Sequence, residues 1–255
     1  MSARDDMNAL YAQSKALNRM ALLFYCANLL AALLSLWVQD SKGLMITLQL
    51  VSSVLFLIIS VIDECLCWYD AESARRKGNL MNAFDVNLIE YTTDGYYNNN
   101  LPPSTMKYSV NCFESLFFTK AVVKRMLIPN ALKAGIAIII IICSMLLLGS
   151  NDLLLIICQT MMSSYILLGV IMLFVFYCRV CLLYDELFHS LVTTAVTTIE
   201  QQRLILSLAV EYEACKAYFK VRVDSKMFAN MNNELSAKWN EICMKIHIDE
   251  KMLIR

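Results

Sequence analysis

Cys178-Arg179-Val180-Cys181 is the spacing in this chain that most suggests redox or metal chemistry. Thiols three residues apart share a helix face, so such a pair could cycle through a disulfide or supply half of a zinc site. No second pair and no nearby histidine completes a tetrahedral set, and the same spacing serves apolar packing equally well. A second cluster is acidic. Asp63, Glu64, Asp70 and Glu72 could together hold a metal ion, or be solvated charges balanced by Arg75, Arg76 and Lys77. The two histidines, His189 and His247, lie in no metal or nucleophile motif, and no P-loop, GxGxxG, HExxH or GxSxG occurs. No catalytic group and no cofactor is expected.

Polar residues within apolar stretches are more telling. Gln49, Ser53 and Ser60 fall at steps of four and seven, on one face of a helix; Gln159 and Ser163 are four apart, with Thr160 and Ser164 beside them. Amides facing lipid are costly, so these side chains either hydrogen-bond between helices or line a water-filled path. A third group, Tyr91, Asp94, Tyr96, Tyr97 and Asn98–Asn100, surrounds an Asp-Gly turn. Its rings and amides could stack on a nucleotide second messenger or dock a soluble protein; equally, they could be a turn packed by its own tyrosines.

The elements that must carry these groups follow from composition. Of 255 residues, 58% are hydrophobic and 17% are charged, against about 25% charged in soluble domains. Four uncharged runs stand out: Met20–Gln39, Gly43–Ile62, Ala134–Asn151 and Leu153–Cys178. About 20 apolar residues of helix cross the hydrocarbon core. Sequences such as Ala137-Ile138-Ile139-Ile140-Ile141-Ile142 do not alternate as barrel strands do. The expected fold is an all-α integral membrane protein with four transmembrane helices in two hairpins and a helical cytoplasmic region.

Charge orients it. Of 22 Lys and Arg, only Lys42 falls in the two tight turns, so the remaining regions share the cytoplasmic side. The expected organisation is a cytoplasmic segment 1–19, hairpin 20–62, cytoplasmic module 63–130, hairpin 131–178 and cytoplasmic tail 179–255. Both termini are then inside a multi-pass plasma-membrane protein. Residues 1–19 lack the pattern of a cleavable signal. Trp68 and Tyr69 suit the headgroup level, and Pro129 should interrupt or re-aim the approach to the third span. The ten cysteines lie in the membrane or on the reducing side, which disfavours disulfides. Residues 63–133 carry eight acids and eight bases, so no nucleic acid partner is expected.

In the tail, Leu204, Leu208, Tyr212, Cys215 and Phe219 form one helical stripe; Phe228, Met231, Leu235, Trp239, Ile242 and Ile246 form another, with a break near Val223-Asp224-Ser225. Each stripe needs a partner: the central module, the other stripe, or a neighbouring subunit. Leu204, Leu208, Phe228, Leu235 and Ile242 are the expected contacts of a homo-oligomer, a tetramer by our reading.

Ala71-Glu72-Ser73-Ala74-Arg75-Arg76, then Asn82-Ala83-Phe84-Asp85, resembles the S-4TM type of bacterial four-transmembrane pore-forming effectors of antiphage defence. In that family a helix ends in Phe-Asp and an aromatic, Asn-containing segment follows; Asp94-Gly95-Tyr96-Tyr97-Asn98 matches its position. The resemblance implies an oligomeric inner-membrane effector that perturbs the bilayer when infection is sensed. The competing class is a non-pore membrane anchor that recruits a soluble defence partner.

Overall fold

A computed structural model describes residues 7–37, 39–90, 97, 99, 101–148, 167–192 and 199–246. Among these the chain is all-helical, with no strand. The helices are α1 (Met7–Trp37), α2 (Lys42–Ile62), α3 (Trp68–Phe84), α4 (Thr105–Leu148), α5 (Leu167–Val192), α6 (Ile199–Phe219) and α7 (Ser225–Ile246). A short 3₁₀ turn, Gln39–Ser41, joins α1 to α2. Five residues of π-helix, Asp63–Cys67, join α2 to α3 without a break, and the Trp68 N–H donates to the Asp63 carbonyl. The result is a rod running from Lys42 to Phe84.

Local chemistry sets the ends. Asp85 closes α3 in the left-handed region (φ 55°); Asp tolerates this conformation better than most residues. Ser104 starts α4: its N–H donates to the Ala83 carbonyl (2.9 Å) and its hydroxyl accepts from the Lys107 N–H (3.1 Å). Lys220 (φ 49°) ends α6. Asp224 caps α7 by accepting from the N–H groups of Lys226 and Met227 at 2.8 and 3.0 Å. The expected break near Val223–Ser225 is therefore present, spanning residues 220–224.

Pro129 does not interrupt α4, which runs through it for 44 residues. Proline removes one backbone donor. In the same turn the Asn130 amide donates to the Met126 carbonyl (2.7 Å), adding a side-chain donor there.

Two regions differ in what they bury. α1 and α2 pair along their length, and the buried residues of the pair are mostly small or polar (Ala21, Asn28, Ala31, Ala32, Ser35 and Ser52), with Tyr25 also buried against Phe56 (5.9 Å). Their large aliphatics, Leu23, Leu30, Leu44, Leu50 and Leu57 among them, face outward. In the other region α4, α5, α6 and α7 enclose a core of Val110, Phe113, Leu116, Phe176, Leu187, Ile205, Tyr212 and Trp239. Rings order it: Phe113 lies 5.3 Å from Tyr184 and 5.4 Å from Trp239, and Phe176 lies 5.6 Å from Phe219.

α5 belongs to both regimes. Leu168, Ile171 and Phe174 face outward near its start, whereas Phe176, Val180, Leu183, Leu187 and Leu191 are buried in the core. The rod containing α2 and helix α5 are the two described helices long and apolar enough to cross a membrane. Only 6% of the rod's apolar window is inside the protein, which is the reverse of a soluble core helix.

Candidate functional site

The central feature is a buried cluster of charges joining α1, α3, α4 and α6. Arg75 on α3 is its hub. Its Nε donates to Glu72 Oε2 (2.9 Å), and its two terminal nitrogens fork onto both carboxylate oxygens of Glu213, the Nη1 bond being 3.0 Å. Fork-to-fork pairing of this kind is the strongest geometry open to a guanidinium. The Tyr11 hydroxyl donates to Glu72 Oε1 (2.8 Å), and the Lys216 ammonium stands 3.9 Å from the same oxygen. Glu72, Arg75 and Glu213 are each under 10% exposed. Two carboxylates against two cations leave the cluster neutral, which is what makes its burial tolerable.

Electrostatics follow from the packing. Burial works against the charge on Glu72. Lys216 and Arg75 outweigh it, and hydrogen bonds from Arg75 and Tyr11 add to them, holding the carboxyl at about 2. Burial likewise opposes Glu213, and Arg75 holds it below its ordinary value. Burial and the adjacent Arg75 push the Lys216 ammonium down, against the pull of both carboxylates. Cys112, beside Glu213, is driven up to about 12 by burial and that carboxylate, so its thiol stays protonated and unreactive at neutral pH.

Amides extend the cluster. Asn79 donates to Cys112 Sγ (3.3 Å), Asn111 donates to Asn79 (3.0 Å) and Asn82 (2.9 Å), and Asn99 donates to Asn111 (2.8 Å). Thr119 and Tyr212 share a hydroxyl bond of 2.9 Å on the other side. Among the described residues no group of three or more His, Cys, Asp or Glu could hold a metal ion.

A second junction lies where α2 passes into α3. Arg222, in the linker between α6 and α7, donates from Nη1 to Asp63 Oδ2 (2.6 Å) and to Ser14 Oγ (3.0 Å). Its guanidinium stands 4.8 Å from the centre of the Trp68 ring. Lys220 pairs with Glu64 (3.0 Å), and Lys15 donates to Ser225 (3.0 Å).

These positions correct the acidic cluster expected from sequence. Glu64 and Asp70 are exposed and Arg75 does balance Glu72, as expected, but Asp63 and Glu72 are buried and paired rather than solvated, with Arg222 and Lys216 arriving from the tail beside them. Trp68 is 9% exposed, turned in against Tyr11 and Arg222 rather than out to headgroups, while Tyr69 is 58% exposed. Cys178 is exposed and Cys181 half-buried, both free.

Of the expected polar stripe, Ser53 accepts a hydrogen bond from Asn28 on α1, which also donates to the Gln49 backbone carbonyl (2.9 Å). Ser60 is half-buried. Gln159 and Ser163 lie outside the described residues, as do Tyr91, Asp94, Tyr96 and Asn98. Tyr97 is half-buried, and Asn99 of the same segment is tied to α4 through Asn111.

Of the expected subunit contacts, Leu208 and Leu235 are buried in the chain's own core and Phe228 and Ile242 pack against it. Leu204 alone among them is half exposed (50%). Sequence reading missed Tyr11, Glu213, Lys216, Cys112 and Arg222. Glu213 and Lys216, three apart and flanked by the apolar stripe of α6, were the available signal.

No family model matches this chain, and no curated protein or solved structure is similar to it.

Proposed function

We propose that the chain is a multi-pass inner-membrane effector of a bacterial antiphage system, acting as a homo-oligomer that perturbs or permeabilises the membrane on a cytoplasmic signal. The observation that carries it is the inverted burial of hairpin α1–α2 joined to a conventionally packed helical base. An outward aliphatic surface of that extent marks a membrane or protein contact, and the length and hydropathy of the helix that carries it favour lipid. In this reading the four spans are α1, α2, the C-terminal part of α4 and the uncharged run Leu153–Cys178, whose end is the start of α5. The base stays in the cytoplasm, where its neutral charge cluster is the element a signal can disturb. The S-4TM resemblance in residues 71–85 supports the defence role.

One observation favours the second reading, a non-pore anchor that recruits a soluble partner. Asn28 spends Ser53 and the Gln49 carbonyl on the contact between α1 and α2 rather than on a water-filled path. Flux of potassium or a small dye from liposomes carrying the purified full chain separates the two. Flux that requires assembly supports the effector; intact vesicles with the oligomer present support the anchor.

A further inference from the structure

We propose that the π-turn Asp63–Cys67 is a register switch between the membrane hairpin and the base, held in its wide form by Arg222. For its purpose the switch rests on the effector reading above; its existence does not. Nothing in Asp63-Glu64-Cys65-Leu66-Cys67 demands a π-turn, since the segment contains neither glycine nor proline. Such turns are rare, add one residue to the helix, and recur at functional sites. The wide turn must therefore be held from outside.

Arg222 does so from three directions. It binds Asp63 within the turn, Ser14 on α1, and the face of Trp68, the first residue after the turn. The hold is incomplete. Asp63 is 3% exposed, yet its Oδ1 has no hydrogen-bond partner among the described residues. A buried carboxylate served on one side only is held less firmly than a fully hydrogen-bonded one, which lowers the cost of opening the latch. Arg222 is also partly open to solvent, with 29% of its side chain exposed, and can be drawn away.

Opening lets the turn close to ordinary α geometry. One residue fewer per turn rotates α2 against α3 by about 100°. Because α1 pairs along α2, α1 turns with it, and the rotation also parts Tyr11 from Glu72 and Trp68 of α3. The latch lies in the linker that follows α6, the helix carrying Glu213 and Lys216, so a disturbance of the charge cluster reaches the hairpin through a few residues.

The turn carries its own probes. Cys65 is exposed, Cys67 is half-buried, and Cys112 is buried in the base. The full chain in lipid nanodiscs is labelled with a charged, water-soluble maleimide, and each site is followed by peptide mass mapping. Wild type should label Cys65 faster than Cys67 and leave Cys112 protected. Arg222→Gln should change the Cys65-to-Cys67 rate ratio by about fivefold or more with Cys112 still protected. An unchanged ratio with Cys112 protected overturns the switch. If Arg222→Gln exposes Cys112, Asp63→Asn decides, because it opens the same pair without leaving a buried charge. A shifted ratio there supports the switch and a wild-type ratio overturns it. Exposure of Cys112 in both variants also overturns it, since a switch must open without unfolding the base. No step depends on membrane flux, so failure of the switch and failure of the effector reading remain separate results.

Discussion

Hairpin α1–α2 and the helical base solve the same packing problem with opposite parts. Between α1 and α2 lie mainly alanine, serine and asparagine, beside the Tyr25–Phe56 ring contact, with leucine and isoleucine outside; between α4, α5, α6 and α7 lie phenylalanine, tryptophan, valine and leucine. Small residues let helix backbones approach closely where lipid supplies no hydrophobic drive, and polar residues join them. In water the drive comes from removing large apolar surface, and those residues go inside. Under the membrane reading proposed above, residue type at the contact reports the solvent around it.

The sharpest way to break the base is Arg75→Ala. It leaves Glu72 and Glu213 buried with Lys216 as their close cation among the described residues, and should cost about 3–5 kcal/mol. Thermal unfolding of the full chain in detergent should show this as a fall of many degrees, and loss of only a degree or two would mean that the cluster is solvated.

Next is a substitution whose effect depends on solvent alone. Leu50 on the hairpin is 67% exposed and Val210 on the base is 52% exposed. Leu50→Arg should cost about 2.5–3.5 kcal/mol in membrane insertion, and Val210→Arg should stay within about 0.5 kcal/mol. Partition between membrane and soluble fractions tests this. Equal behaviour of the two variants would remove the distinction between the regions.

Acid should separate them as well. The Glu72 carboxyl, held at about 2 in the folded chain, lies below its unfolded value near 4.3. A lowered folded value means that its stabilisation is complete above the unfolded value and is lost as pH falls from about 4.3 towards 2. Unfolding of the base, followed by near-ultraviolet circular dichroism, should become easier across that window, and Glu72→Gln should flatten the dependence.

The smallest effect is expected in the hairpin. Asn28→Ala removes two interhelical hydrogen bonds, which in membranes average about 0.6 kcal/mol and reach about 1.7. A small shift in hairpin unfolding with the base unchanged is the expected outcome; collapse of both regions would show that they do not fold separately.

Helices were largely legible in the sequence because their stripes are local. The periodicity containing Leu208, Tyr212, Leu235 and Trp239 placed α6, α7 and the break between them, and all four residues are buried. Leu204 belongs to the same pattern but stays half exposed, because period alone does not say where a neighbouring helix ends. The charge cluster was not legible, since Arg75 meets Glu213 across 138 residues and Asp63 meets Arg222 across 159. Composition showed balanced charge in residues 63–133, but pairing over such distances is decided by packing. Trp68 was misread for the same reason: an aromatic near a span suits the headgroup level until an arginine from elsewhere covers its face.

The bonds of the N-terminal helix have a consequence for the order of synthesis. Ser14 and Lys15 find their partners in Arg222 and Ser225, 208 and 210 residues later. At about 5–20 residues per second, those partners leave the ribosome some 10–40 s after the first helix does. The first hairpin must therefore wait with these side chains unmatched. Closure at Arg222 comes late in assembly, and a chain halted before it would have its first hairpin unfastened.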